Sequence, residues 1–249
     1  MSGYRDFAGF YDLLTEDVDY TARAAYFHQL AQRYTPPGRL LLDLACGTGS
    51  LSLALSRLGY DVIGVDGSYE MLSVAMEKRG EEPILFLCQD MENLDLYGTV
   101  DLTISALDSL NHVTQPEHLQ TVFNRVSLFT NPGGLFLFDM NTPYKHREIL
   151  ADNAFVYDLD QLYCVWQNDL DEDGRKVTIH LDFFVPEEDG KYSRWEEEIQ
   201  ERAYTQKEIQ CFVERAGLEL LEVFHEDSME PPRPDSQRLV YLARKPVHR

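Results

Sequence analysis

The stretch Leu40–Gly49, LLLDLACGTG, constrains this chain more than any other. Three consecutive leucines and Leu44 form an apolar run that ends in Cys46-Gly47-Thr48-Gly49, and a helical pattern, Ser50 to Leu58, follows at once. This reads as a buried parallel strand turning sharply into a helix. Glycines at 47 and 49 permit positive φ and a close approach of backbone to a ligand, and the unpaired first-turn N–H groups of the following helix open into the same crevice. Such a turn is a candidate ligand site.

Two kinds of cofactor use a turn of this type, and the details separate them. A dinucleotide fingerprint needs a third glycine for close helix packing, and that position is Ser52. A nicotinamide-dependent oxidoreductase is therefore disfavoured. The next short β-branched strand, Asp61–Asp66, ends in a carboxylate 17 residues after Gly49. An acid about 20 residues past the glycine turn accepts from both hydroxyls of a ribose. The plainer role for Asp66 is to cap the helix Ser68 to Lys78; the ribose role is preferred.

Beyond this point strands and helices alternate. Strands are expected at 40–45, 61–66, 83–88, 100–106 and 134–138, with helices at 49–58, 68–79 and 116–130. That alternation means a doubly wound parallel sheet with its ligands at the carboxyl ends of the strands. Asp43, Gly47, Asp66, Asp90 and Asp108 all fall at or near those ends, making an edge suited to a cationic ligand. Asp90 is placed to accept from an adenine amino group and Met91 to lie against the ring. Ahead of the first strand, Tyr4, Phe7, Phe10, Tyr11, Tyr20, Tyr26 and Phe27 mark one or two amphipathic helices, the second from Tyr20 to Tyr34 with a break at Pro36-Pro37-Gly38. Aromatics so spaced pack a core, or close a lid over the cofactor.

After Asn141 the period changes from 3.6 to 2. Residues 154–158, 161–169, 175–185 and 191–202 alternate apolar and polar between acidic or glycine turns, which predicts an antiparallel sheet inserted after the fifth strand. A helix from Gln206 to Ala216 and strands at 218–225 and 237–244 finish the chain. The expected division is a helical lid and cofactor-binding core over 1–150, the insert over 151–204, and a closing helix and hairpin over 205–249. The insert's aromatics, Tyr163, Trp166, Phe183, Phe184, Tyr192 and Trp195, either pack its own core or line an acceptor pocket.

Composition narrows the class. The chain has 249 residues, 44% hydrophobic and 26% charged, with a net charge of −21, so a basic face able to neutralise nucleic-acid phosphates is not expected. No segment offers the ~20 apolar residues of a membrane span. The start, MSGYRDFAGFYDLL, lacks a secretory signal, and the cysteines at 46, 88, 164 and 211 show no zinc or disulfide spacing. A cytoplasmic protein without a metal, acting as monomer or homodimer, is the expectation.

Asp43 followed by Ala45-Cys46-Gly47-Thr48-Gly49 resembles motif I of the class I S-adenosylmethionine-dependent methyltransferases. With VDGSYEML, CQDMENL, SALDSLNHV, PGGLFLFDMNT and ERAY, nearly the whole chain is similar to a small bacterial group of that family whose substrate is unassigned. The resemblance implies a Rossmann-like seven-stranded sheet in the order 3-2-1-4-5-7-6 and S-adenosylmethionine as cofactor. It implies cofactor contacts from Tyr11, Asp43, Ala45, Cys46, Gly47, Thr48, Gly49, Asp66, Gly67, Met71, Gln89, Asp90, Met91 and Leu107. Asp108, Asn111 and His112 are the catalytic candidates, and Asn141 and Tyr144 join them in gripping a small-molecule acceptor through its nitrogen or oxygen. Arg23 stands where the group often has tryptophan, and Ile199 near a frequent histidine, which leaves room for a module that binds the cofactor without turnover.

Overall fold

The structure is a computed structural model that describes residues 3–34 and 38–247. Two helices, α1 (Gly3–Leu14) and α2 (Tyr20–Gln32), precede the alternating part. Asp19 caps α2, its side chain accepting from the Ala22 N–H at 2.9 Å. The side chain of Tyr4 and the expected break at Pro36-Pro37 lie outside the described residues.

The core then runs β1 (Leu40–Leu44), α3 (Ser50–Arg57), β2 (Asp61–Asp66), α4 (Tyr69–Arg79), β3 (Leu85–Cys88), β4 (Val100–Ser105), α5 (Pro116–Phe129) and β5 (Thr130–Asn141). Four antiparallel strands follow: β6 (Ala154–Leu159), β7 (Leu162–Leu170), β8 (Lys176–Pro186) and β9 (Tyr192–Arg202). The chain closes with α6 (Gln206–Arg215), β10 (Glu219–His225) and β11 (Arg238–Arg244). The main sheet is ordered β10-β11-β5-β4-β1-β2-β3, which is the expected 3-2-1-4-5-7-6 once the inserted strands are left out of the count. Strands β1 to β5 pair in parallel, whereas β11 pairs antiparallel with β5 and β10 with β11.

Alternation along buried strands feeds two cores. On β5, Leu135 and Leu137 face α2 and α3, while Phe136, Phe138 and Met140 face α5 and α6. Leu41 and Leu42 divide in the same way on β1. Each residue of a central strand therefore buries its side chain against one helical layer or the other, and no face is left polar.

Three boundaries differ from expectation. Strand β5 starts at Thr130 and ends at Asn141, not at 134 and 138, because Asn131-Pro132-Gly133 is absorbed as an irregularity: its register against β4 jumps between Val100 and Leu102, and Gly133 sits at φ +84°. Antiparallel pairing with β11 carries its other end on to Asn141. Third, residues Lys145–Leu150 form a π-helical turn with no periodic signal, closed by the Ala151 N–H donating to His146 O at 2.7 Å.

The insert is the sheet β6-β7-β8-β9, and its core holds Leu162, Cys164, Val177, Ile179, Leu181 and Phe183. Phe7, Phe10 and Leu14 of α1 pack into this same core, with Phe7 and Phe10 against Phe183 and Phe10 against Trp195. Ile199, opposite Ile179, belongs to it too. Among the described residues no helix is long and apolar enough to cross a membrane.

Candidate active site

The glycine turn is held in an unusual backbone path. Ala45, Gly47 and Gly49 lie at φ 60°, 53° and 74°, a sequence of left-handed residues that strand β1 enters and α3 leaves. A Cβ on Gly49 would meet Ala75 at 2.9 Å and Phe86 at 3.0 Å, whereas one on Gly47 would meet nothing within 4 Å. Gly49 is therefore needed for packing, and Gly47 opens a bare face of backbone to a cavity. Asp66, at the end of β2, fixes the turn: its carboxylate accepts from the Gly47 N–H and the Ser68 N–H, each at 2.8 Å. Burial raises the Asp66 pKa, and those two backbone donors pull it back.

The cavity above the turn is lined by Tyr11, Asp43, Ala45, Cys46, Gly47, Thr48 and Leu107, all expected as contacts from sequence, and by Tyr20, Ser50, Leu51, Ala106 and Ser109, which were not. Tyr20 was expected either to pack a core or to close a lid over the cofactor, and it lines the cavity. Asp43 forms the floor. It is 1% exposed and accepts from the Ser52 hydroxyl at 2.5 Å, and burial pushes its carboxyl up to about 7. Ser52, the residue that breaks the dinucleotide pattern, is thus the partner of the buried acid. Cys46 is buried too, and desolvation raises its thiol, so it is an inert wall.

The remaining predicted contacts lie along the same edge beyond Asp66. Gly67 is pressed against Asp90, whose carboxylate would be 2.9 Å from a Cβ there. Asp90 is exposed and free of hydrogen bonds to its side chain among the described residues, while Gln89 spends its amide on the backbone of Asp95. Met91 packs on the α5 side of the core, and Met71 is buried in the first turn of α4.

A second left-handed turn, Leu107 and Asp108 at φ 57° and 55°, follows β4. It is pinned by Asp139 of β5, which sequence reading passed over. Asp139 is fully buried and accepts from the Leu107 N–H at 3.0 Å, the Asp108 N–H at 2.8 Å, Arg23 at 2.9 Å and Arg238 at 2.5 Å. Arg238 also reaches Asp108 at 2.6 Å, and Arg23 reaches Asp227 at 2.9 Å. Burial works against the Arg238 charge, but Asp139 and Asp108 outweigh it and raise its pKa. Arg23, the departure from the usual tryptophan, is a structural member of this site. An acid inside the apolar run LFLFDM was the available signal.

Residues 41–134 match the family model described as a methyltransferase domain. YqeM of Bacillus subtilis (strain 168), which carries a methyltransferase name without a stated acceptor, is 31% identical over 244 residues, 97% of each chain. A similarly named protein of Geobacillus sp. (strain WCH70) is 29% identical over 97% of this chain and 99% of its own. The crystal structure of an S-adenosylmethionine-dependent methyltransferase from Clostridium acetobutylicum ATCC 824 is 32% identical, with a TM-score of 0.87 over 98% of this chain and 99% of that one. The chain belongs to the class I S-adenosylmethionine-dependent methyltransferases. Its cofactor is S-adenosylmethionine.

Beyond the Leu107 turn of this methyltransferase, side chains from two segments converge. Asp108, His112 and Glu201 bring ligating atoms within 4.8 Å of one another from the β4 edge and the end of β9. No spacing in the sequence foretold this trio, and its carboxylates already have partners. Asp108 is bound to Arg238, and Glu201 accepts from Asn141 Nδ2 at 2.9 Å and faces His146 Nε2 at 3.2 Å. Burial alone would raise the Glu201 carboxyl, yet His146, His112 and Asn141 hold it below the usual range. Lys145 donates to Asn141 Oδ1 at 3.0 Å, and burial lowers its pKa.

Asn111 does not face this space. It is fully buried, donates to the backbone carbonyls of Asn141 and Arg202 at 3.1 and 2.8 Å, and accepts from the Asn141 N–H at 2.9 Å. Its role is to tie β4, β5 and β9 together, so the expectation that it grips the acceptor is corrected. His112 is exposed, and Tyr144 opens on a separate cleft past β5.

One further contact joins the parts. Asp12 of α1 accepts from the Thr48 hydroxyl at 2.7 Å and pairs with Lys78 at 2.6 Å, and Lys78 also donates to Thr48 and Ser50. One face of α1 is thus latched to the glycine turn while the other is buried in the insert.

Proposed function

We propose that this methyltransferase passes its methyl group to a small-molecule acceptor, at a nitrogen or oxygen, by in-line displacement. The observation that carries the reading is the meeting of Asp108, His112 and Glu201 beside the Leu107 turn, at the edge that also forms the cofactor cavity and under the inserted sheet. The net charge of −21 speaks for a small acceptor over a nucleic acid. Residues 1–150 and 205–249 would form the cofactor-binding body and 151–204 the acceptor's roof, in a cytoplasmic protein whose four cysteines are all free.

S-adenosylmethionine supplies an electrophilic methyl on a positively charged sulfur. The protein's task is then to hold an acceptor lone pair in line with the carbon–sulfur bond and to keep water out, an alignment worth up to roughly 7–11 kcal/mol. The new bond forms to the methyl carbon while the carbon–sulfur pair returns to sulfur, leaving a neutral thioether. An amine or hydroxyl acceptor must also lose a proton. His112, exposed at the mouth and flanked by two carboxylates, is the group to accept it. Asp108, fixed by Arg238, orients the acceptor from the other side.

The test is a transfer screen with methyl-labelled S-adenosylmethionine against fractionated small metabolites. Label should move to an acceptor in the native protein and fall steeply in His112→Ala. A protein that binds the cofactor and labels protein or nucleic acid, but no small molecule, would refute the proposal.

A further inference from the structure

A second cleft lies on the far side of β5, bounded by the end of that strand, the Lys145–Leu150 turn, the start of α6 and the loop Pro231–Ser236. It shares no lining residue with the cofactor cavity. Its deepest member, Tyr241, is 2% exposed, with its ring stacked on Phe138 at 4.9 Å. Its hydroxyl has no hydrogen-bond partner among the described residues and is not sealed off from the cleft, although the ring below it is buried. Burial alone raises that phenol's pKa, so it stays a donor. This is a donor on the cleft wall for which the described residues supply no acceptor.

Two arginines and a helix start stand around the same cleft. Arg147 gives its Nε–H to the Pro143 carbonyl at 3.1 Å and has no carboxylate partner among the described residues. Arg233 enters from the opposite rim, paired with Glu230. Gln206 is the first residue of α6, a helix of 10 residues with Thr205 as its N-cap. The capping box satisfies the Glu208 and Thr205 N–H groups and leaves those of Gln206 and Lys207 unbonded. One acid, exposed Glu148, lines the cleft against the two arginines. In a chain of net charge −21, Glu148 and Glu230 balance the two guanidinium groups here, and Arg147, the helix start and the unpartnered phenol are what the cleft offers an anion.

We propose that this cleft binds a small anion, a carboxylate or phosphate group, between Arg147 and the Tyr241 hydroxyl. Its source is either an acidic group on the methyl acceptor, a link that rests on the function proposed above, or a separate acidic effector. Anion binding by the cleft does not depend on which.

The test titrates full-length protein with inorganic phosphate and with citrate at constant ionic strength, read by calorimetry or by amide chemical shifts, alongside S-adenosylmethionine. The native protein should bind at least one of the anions. Arg147→Gln and Tyr241→Phe should each weaken that binding about tenfold, the loss of one charge-assisted or otherwise unmet hydrogen bond, and leave cofactor affinity unchanged. Tyr241→Phe keeps the stacked ring and so keeps the fold testable even if the arginine variant is perturbed. Native protein that binds S-adenosylmethionine but neither anion, or variants that bind anions as well as native protein does, would overturn the inference. Failure to bind S-adenosylmethionine would instead count against the cofactor site. Once an acceptor is found, anion inhibition competitive with it assigns the site to the acceptor's own acid, and any other pattern assigns it to an effector.

Discussion

Replacing Asp66 with alanine tests the cofactor site at the point where loop and ligand share one group. A carboxylate offers about four lone-pair sites. Two are taken by the Gly47 and Ser68 N–H groups, both at 2.8 Å, which leaves two for a ribose diol. In Asp66→Ala the ribose loses a charged acceptor, and water partly replaces it because the site is only half-buried. The expected loss is about 1–3 kcal/mol, or roughly 5- to 150-fold in Kd. Asp66→Asn is not a gentle substitute, since its NH₂ must face a backbone N–H or the ligand's hydroxyl. Both variants should be measured by calorimetry with S-adenosylmethionine and S-adenosylhomocysteine, after circular dichroism has shown the fold intact. An affinity within twofold of native in folded Asp66→Ala would remove the ribose assignment and leave Asp66 as a loop anchor alone.

Four other outcomes are expected. Gly47→Val should abolish measurable cofactor binding in calorimetry, because the position sits at φ +53° and the added side chain enters the cavity. Asp139→Asn should cost about 3–5 kcal/mol in urea unfolding, since it leaves Arg23 and Arg238 facing an uncharged partner in the interior. Asp43 gives a pH dependence: its folded pKa of about 7 stands above the ordinary 3.8, so its stabilising contribution is complete below 3.8 and is lost as pH rises through 7. Above 7 the same group is an anion under the cavity, so affinity for the cationic cofactor should rise between about pH 6 and 8 and be flat in Asp43→Asn. In the insert, Trp166→Ala with Arg202→Ala should lower turnover with cofactor affinity held within about 1 kcal/mol, whereas Phe183→Ala should weaken both, as turnover assays and calorimetry would show.

Alternating strands and helices, the glycine turn and the inserted sheet were legible because each rests on local chemistry: apolar runs, left-handed glycines, and a period that drops to 2; the order of the main sheet was implied only by the family resemblance. Asp139 was harder to see. Its partners Arg23 and Arg238 lie 116 and 99 residues away, and no local pattern announces a pairing at that range. Asn111 failed for a related reason. A polar residue after a strand points to a ligand or into the core with the same sequence, and only the arrival of β9 decides which. Glu201 is apparent only once β9 is seen to carry Trp195, Ile199 and Glu201 on one face, so that a strand buried by two apolar residues delivers a carboxylate at its end.

The same face explains why the core and the inserted sheet are less separate than chain order suggests. Helix α1 spends Phe7 and Phe10 on Phe183 and Trp195, and spends Asp12 on Thr48 and Lys78. Tyr11, one residue from Asp12, lines the cofactor cavity. An exposed ion pair such as Asp12–Lys78 contributes only about 0.2–1 kcal/mol, so the latch alone is weak. The two phenylalanines bury far more, roughly 1.5–3 kcal/mol for each ring fully covered. Helix α1 also packs on α4 of the core, so core and insert hold it from both sides. Removing the ring that Phe7 and Phe10 pack against disturbs α1 and with it Tyr11, which is why Phe183 rather than Trp166 is the insert residue whose loss should reach the cofactor.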